Sequence, residues 1–428
     1  MNLQRLLGRV DALIVRERVR NYSLIIAVMG SVALLCNAAL GQFPVTLAGE
    51  VVLPDFFAYW TGGRMVLLGQ INELYDPAVQ GALQAAAVPS TRGLAWFISP
   101  PTTALLLVPW SALPYGWGAL AWTATSVAVL GLALQYARPL LGHREGDHRL
   151  FVGVMWSTPA VFELIGAGQN TALALLAVML SLRLAANGRE IGAGAVLAAG
   201  LYKPHLFVLV PVVLLVQRRY RALGALAATS ALVFLATLPV VGLGAWSSWA
   251  KALASPLYRD QVQVGLTWKM QSVSALSAAL GAPPRLAFVF LLIGAAAFVW
   301  SARRFRDDAP RVWALALMTT VVFGPHAMMY DLVLLVPVAA YLFAHRNTRA
   351  ARLLGIVTCV LLWSVPIRYA VAGLDPQWHA LSAPWSAVPL LGLWILLAVD
   401  RRPSADPTAA APLATSQPSR TGQEKASG

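Results

Sequence analysis

The sequence predicts an all-α polytopic membrane protein. Apolar residues fill 58% of the 428 positions and charged residues only 12%, more apolar surface than a soluble core can absorb. The apolar residues come in long runs separated by short basic clusters. The net charge of +14 therefore belongs to the loops of a membrane protein rather than to a nucleic-acid surface. The two cysteines, Cys36 and Cys359, lie inside apolar runs and read as small hydrophobes, not as a disulfide or a metal pair.

Residues 1–21 carry Arg5, Arg9, Arg16, Arg18 and Arg20 and form a cytoplasmic lead with no cleavable signal peptide. The run 22–41 is the first crossing, leading outward. A long outer loop follows, with helix-like pieces near 55–68 and 77–87. Its acids Glu50, Asp55, Glu73 and Asp76 balance Arg64 and Arg92.

The segment 96–113 is apolar, but Pro100, Pro101, Pro109 and Pro114 punctuate it. If it crossed, the clusters at Arg138/Arg144/Arg149, Arg183/Arg189 and Arg218/Arg219/Arg221 would all land outside. Laid along the outer interface, it sends most of the 32 Lys and Arg to the cytoplasm. The outer loop then extends over 42–115.

The remaining crossings are 116–137, 150–166, 170–187, 191–202, 205–217, 221–242, 285–302, 311–324, 331–344, 351–370 and 384–399, which makes twelve in all. The pair 191–202 and 205–217 is short. At ~1.5 Å per residue each reaches only ~18 Å of a ~30 Å hydrocarbon layer, so they thin the membrane or border a cavity. A second outer loop, 243–284, carries interface aromatics and cations including Trp246, Trp249, Lys251 and Trp268. The membrane domain thus occupies 22–400. A Pro/Ser/Ala/Thr-rich tail, 401–428, is expected to be disordered and cytoplasmic.

This topology gathers scattered polar residues at one level on the outer side. Asp55 lies in the first loop. Gln169-Asn170, Lys203/His205 and His326/Tyr330/Asp331 lie at three outer turns. Polar groups at the ends of apolar helices are costly unless solvated or used, so the set is a candidate site. Each member also has a plain structural use. Asp55 can cap its helix, Lys203 can snorkel, His326 can sit at the interface, and Gln169-Asn170 can be turn chemistry. Helical spacing puts Asp55 and Tyr59 on one face and Arg64 on the other, so Asp55 has no local cation. No Walker motif, dinucleotide fingerprint, HExxH or Cys/His metal spacing occurs.

The run Asp55-Phe56-Phe57-Ala58-Tyr59-Trp60, then Gly62-Gly63, Gly69 and Leu74-Tyr75-Asp76-Pro77, resembles the first outer loop of glycosyltransferase family 87. Ser99-Pro100-Pro101 resembles that family's Tyr-Pro-Pro block, with serine in place of tyrosine. Gly168-Gln169-Asn170 and Gly200-Leu201-Tyr202-Lys203-Pro204 also fit, and the resemblance covers roughly 50–345. It implies a GT-C glycosyltransferase fold with the active site on the outer face, the same face that the charge-derived topology reaches, in which both termini are cytoplasmic and the membrane is expected to be a bacterial inner membrane. It also implies inverting transfer of a hexose, expected to be mannose, from a polyprenyl-phosphate donor to a glycan or glycolipid.

Such a displacement needs one base to take the hydroxyl proton, and Asp55 is the candidate. Lys203, His205 and His326 are candidates for the donor phosphate. Tyr59, Trp60, Tyr75, Gln169, Asn170 and Tyr330 are candidates for sugar or acceptor contacts. No cofactor is expected, and no carboxylate stands beside Asp55 in the sequence to hold a metal. The alternative class is a transporter or flippase for a lipid-linked or small polar solute. A polar pathway at mid-membrane would favour it, and a single outer cluster favours the transferase.

Overall fold

The computed structural model describes residues 15–91, 93–141, 145–345 and 348–399. The expected tail 401–428, most of the N-terminal lead and Arg144 lie outside the described residues. The fold is helical throughout this range, with two isolated β-bridges, Val45–Val51 and Met270–Met328. The chain begins with α1 (Arg16–Ala39). The first loop carries α2 (Pro54–Leu67), α3 (Pro77–Ala87) and α4 (Pro101–Ser111), and α5 (Tyr115–Tyr136) follows.

Next come α6 (Glu145–Trp156), α7 (Pro159–Ala167), α8 (Thr171–Ala186) and α9 (Glu190–Leu197). The last of these tightens into a 3₁₀ turn over Ala198–Tyr202. After a second tight turn come α10 (Val210–Val216) and α11 (Tyr220–Leu253), which is broken at Gly242. The second loop holds α12 (Val273–Ala279). Then follow α13 (Leu286–Arg304), α14 (Ala309–Phe323), a 3₁₀ segment Met329–Leu335 running into α15 (Val336–His345), α16 (Arg349–Trp363), α17 (Val365–Ala372) and α18 (Ala387–Val399).

Among the described residues, five helical segments are long and apolar enough to cross a membrane, or seven if each bent pair counts as one. The bent pairs are α6/α7 at 56° and α16/α17 at 49°. Each breaks at a proline, Pro159 or Pro366, whose ring clashes with the preceding turn. Five shorter apolar helices complete the set. Every apolar run read from the sequence falls on one of these segments. The segment 96–113 forms only an 11-residue helix, α4, about 16 Å at ~1.5 Å per residue.

Helix α4 packs closely on α2. A Cβ placed on Gly63 would come within 2.3 Å of Ser111 Oγ, so that contact requires glycine. Two buried glutamines on α3 hold the chain leading into α4. Gln80 accepts from Phe97 N at 2.7 Å and donates to Leu74 O at 2.8 Å, while Gln84 donates to Ala95 O at 2.7 Å. Around this frame lies an aromatic core of Phe56, Phe57, Trp60, Phe97, Tyr115 and Trp122. A second and larger core runs through α5, α7–α10, α13–α15 and α18. The candidate site lies where the two meet.

Candidate functional site

Two backbone features aim Asp55. Leu53, the residue before α2, is left-handed at φ 56°, a strained state for leucine followed by proline. Tyr115 clamps it by donating to the carbonyls of Val52 and Leu53. Opposite, Gly168 ends α7 at φ 74°. A Cβ there would meet Phe56 Cβ at 2.6 Å and Leu53 Cβ at 2.8 Å, so glycine is required twice over, for conformation and for space. The Gly168 carbonyl is held by Trp122 Nε1 at 2.8 Å. The next residue, Gln169, is thereby delivered to Asp55.

Asp55 does not cap α2. It lies one residue inside the helix and makes no capping bond. Its Oδ2 accepts from Gln169 Nε2 at 2.8 Å, and Oδ1 accepts no bond from the described residues. Gln169 Oε1 in turn accepts from Tyr59 OH at 2.8 Å, Lys203 Nζ at 3.3 Å and Asn170 N at 3.4 Å. Lys203 also donates to Thr171 Oγ1 and to Asp331 Oδ1, both at 2.8 Å. Thr171 donates to the same Asp331 oxygen at 2.7 Å, and Met328 N reaches Asp331 Oδ2 at 3.2 Å. The Tyr330 ring covers the ammonium at 4.7 Å.

The structure thus brings Asp55, Tyr59, Gln169, Asn170, Lys203 and Tyr330 into one network. Asp331 becomes the buried partner of Lys203 in place of a free carboxylate. His205 and His326 meet edge to face, ring centroids 5.8 Å apart. His205 keeps exposed surface. His326 Nδ1 and Asn170 Oδ1 are buried without a hydrogen-bond partner among the described residues. Burial depresses the His326 pKa, which favours the neutral ring.

Three expectations change. Trp60 is buried and donates to Leu113 O at 3.0 Å, so it is neither a sugar platform nor an interface anchor. Tyr75 is buried, stacks on Phe97 and donates to Ser99 O at 2.8 Å, which fastens the loop instead of facing substrate. Lys203 spends its three donors on Gln169, Thr171 and Asp331, so in this arrangement it offers no free ammonium to a phosphate.

A different cation faces the cluster. Lys269, absent from the sequence-derived set, pairs with Glu163 at 3.2 Å, both side chains about one-third exposed. The bond from Gln271 N to Ala327 O at 2.7 Å fastens its loop beside His326. Lys269 lies 5.2 Å from the Trp268 ring, and that ring stacks on Tyr369 at 4.2 Å. Its signal in the sequence was faint: a lone lysine after tryptophan in an outer loop.

Burial raises the Asp55 pKa. The Gln169 hydrogen bond opposes the rise, as do Lys269 and Lys203, while Glu163 adds to it. Asp76 is spent as the cap of α3, accepting from Ala78 N at 2.8 Å and Val79 N at 3.3 Å. Glu163 is paired with Lys269. Asp55 is therefore the carboxylate here that neither caps a helix nor sits in an ion pair, and its Oδ1 is open. Among the described residues no three His, Cys, Asp or Glu side chains are grouped to hold a metal ion.

The sequence profile of glycosyltransferase family 87 matches residues 97–329, more than half of the 428 positions. The matched range takes in Gln169, Lys203, Lys269 and His326, and Asp55 precedes it. Neither a curated protein nor a solved structure matches the chain.

Proposed function

The chain belongs to glycosyltransferase family 87 and is a membrane glycosyltransferase; from that premise we propose that it transfers a hexose, mannose, from a polyprenyl-phosphate sugar to an outer-face glycan or glycolipid with inversion. The observation that carries the reading is the state of Asp55. One carboxylate oxygen is held by Gln169 and the other is open, in a cluster whose remaining carboxylates are paired.

In the proposed reaction an acceptor hydroxyl attacks the anomeric carbon. Its proton passes to Asp55 as the new C–O bond forms. The bond from that carbon to the donor phosphate oxygen breaks, and polyprenyl phosphate leaves with the electron pair. One displacement inverts the centre and needs no covalent enzyme intermediate. The growing charge on the leaving phosphate calls for a cation and donors. Lys269 supplies the cation, and His205 and His326 supply hydrogen bonds. Tyr59, Asn170 and Tyr330 line the sugar position. These protein groups cover both needs of the displacement, so the proposed reaction is metal-independent. The proposal takes the twelve-crossing reading of the basic clusters, with both termini in the cytoplasm and this cluster on the outer face of a bacterial inner membrane.

The cluster gathers at one end of α7, α8 and α14, as a transferase requires. The pair Glu190–Arg219 marks the opposite end of α9. The direct experiment incubates purified protein with polyprenyl-phosphate sugars and identifies the sugar transferred and the stereochemistry of its linkage. Transport of an intact lipid-linked sugar without transfer would overturn the reading.

A further inference from the structure

We propose that the Lys203–Asp331 ion pair is a positioning device for Asp55, acting through the carboxamide of Gln169. The inference rests on Asp55 being the base and assigns to Lys203 a task other than binding phosphate.

Hydrogen-bond chemistry requires the orientation. A glutamine side chain has one end that accepts and one that donates. The site around Gln169 Oε1 holds an ammonium and a backbone N–H, neither of which can accept, together with the Tyr59 hydroxyl. Only the amide oxygen fits there. The NH₂ end must then face Asp55, and it can only donate. The Asp55 oxygen it meets, Oδ2, is kept as an acceptor, so the proton taken from substrate goes to Oδ1. The carboxylate is thus held with one chosen oxygen open.

The ion pair makes this orientation stiff. Lys203 is fixed by Asp331 and Thr171 at 2.8 Å each, and Asp331 is wholly buried with both oxygens engaged. Three separate stretches meet here: the α7–α8 turn, the turn after α9 and the segment leading into α15. If Lys203 were lost, the ammonium that excludes an NH₂ group from this position would be gone. The amide oxygen would then be held only by the Tyr59 hydroxyl and, at 3.4 Å, the Asn170 N–H. The NH₂ group would no longer stand in one fixed place, and the carboxylate it holds could swing out of position.

The charged and titratable groups facing Asp55 are Tyr59 on its own helix, Tyr115 on α5, Glu163 on α7, Lys203, Tyr330 and Lys269. Removal of Lys203 and Asp331 together deletes one cation from this set, along with that cation's buried counter-ion, and leaves the rest.

The test uses the full-length enzyme and polyprenyl-phosphate mannose. Lys203→Met alone strands a buried carboxylate and endangers folding, so the working variant is Lys203→Met/Asp331→Leu, with Gln169→Leu beside it. Both are expected to lower kcat roughly 10–100-fold, the usual cost of a misplaced group. Donor KM should change little, and the acid limb of the pH–rate profile should move to higher pH. Added to Asp55→Asn, the double change should cost nothing more, because its effect runs through that carboxylate. An unmoved acid limb with normal turnover, or a full additional loss in the Asp55→Asn background, overturns the relay. Normal turnover by Asp55→Asn itself overturns the base assignment instead, so the two failures are distinguishable.

Discussion

Gln169 reaches Asp55 across 114 positions of chain, its Nε2 2.8 Å from Oδ2. The contact joins the first outer loop to the α7–α8 turn, and it turns a solitary carboxylate into an oriented one. Asp55→Asn should therefore be a clean probe. Asn keeps the shape, and the residue caps nothing that would be lost. Transfer should fall about 10²–10⁴-fold, the usual contribution of a positioned base, with donor affinity retained. A transfer assay run beside a donor-binding measurement on monodisperse protein checks both.

Burial raises the Asp55 pKa, and the sign of two pH effects follows. The base works ionised, so turnover should climb as pH rises through a value above the ordinary carboxylate range. Stability runs the other way. The folded state holds the Asp55 proton more tightly than the unfolded chain does. Ionisation therefore costs stability as pH rises from the unfolded to the folded pKa, and the cost persists above it. Asp55→Asn should melt higher than wild type at neutral pH, and the gap should close as pH falls below the ordinary carboxylate value. Thermal melts of both proteins across pH 3–8 give the comparison.

The fold was legible to the extent that it depends on runs of apolar residues and basic clusters. The breaks at Pro159, Pro366 and Gly242, and the short α9–α10 pair around Lys203, all follow from local chemistry. The site was legible only as a set of polar residues at one level. Pairing was not, because Lys203 finds Asp331 across 128 positions and nothing local to either says so. Helical spacing likewise said that Asp55 had no cation on its own helix. It could not say that Lys269 would arrive from the second loop. Trp60 and Tyr75 were misplaced for a related reason. An aromatic beside a candidate base looks the same in sequence whether its polar atom meets a sugar or a backbone carbonyl, here those of Leu113 and Ser99.

Gly168 carries a strong structural constraint. Gly168→Ala adds a methyl 2.6 Å from Phe56 Cβ, at a φ that alanine disfavours. The α7–α8 turn must shift, and Gln169 shifts with it. Turnover should drop by roughly tenfold or more from misplacement, and the melting temperature should fall too. Gly131 on α5, with nothing within 4 Å of its Cβ position, is the control. Gly131→Ala should leave both quantities near wild type.

The placement of α4 decides the sidedness of everything after it. At 11 residues it is short, and the basic clusters leave it lying along the outer interface, so the region 138–149 should be cytoplasmic. Single cysteines placed there in a Cys36→Ser/Cys359→Ser background should resist a membrane-impermeant thiol reagent in intact cells and react after permeabilisation. Labelling in intact cells would invert the topology and move the cluster to the inner face.

Lys269 gives the sharpest test of how the donor is held. Its ammonium is only partly exposed and pairs with Glu163, a carboxylate that a phosphate can displace, whereas Lys203 is closed in by Asp331. A charge-assisted bond of this kind is worth roughly 1.5–3 kcal/mol, so Lys269→Met should weaken binding of a polyprenyl phosphate about 10–100-fold. Binding of the corresponding polyprenol, which lacks the phosphate, should not change. Glu163→Gln should leave polyprenyl-phosphate binding equal to wild type or tighter, because it removes a competing anion. If Lys269→Met weakens the alcohol and the phosphate alike, the lysine is shaping the loop through its contact with Trp268. If neither changes, the cation for the phosphate must be sought at Lys203, released from Asp331 when the donor binds.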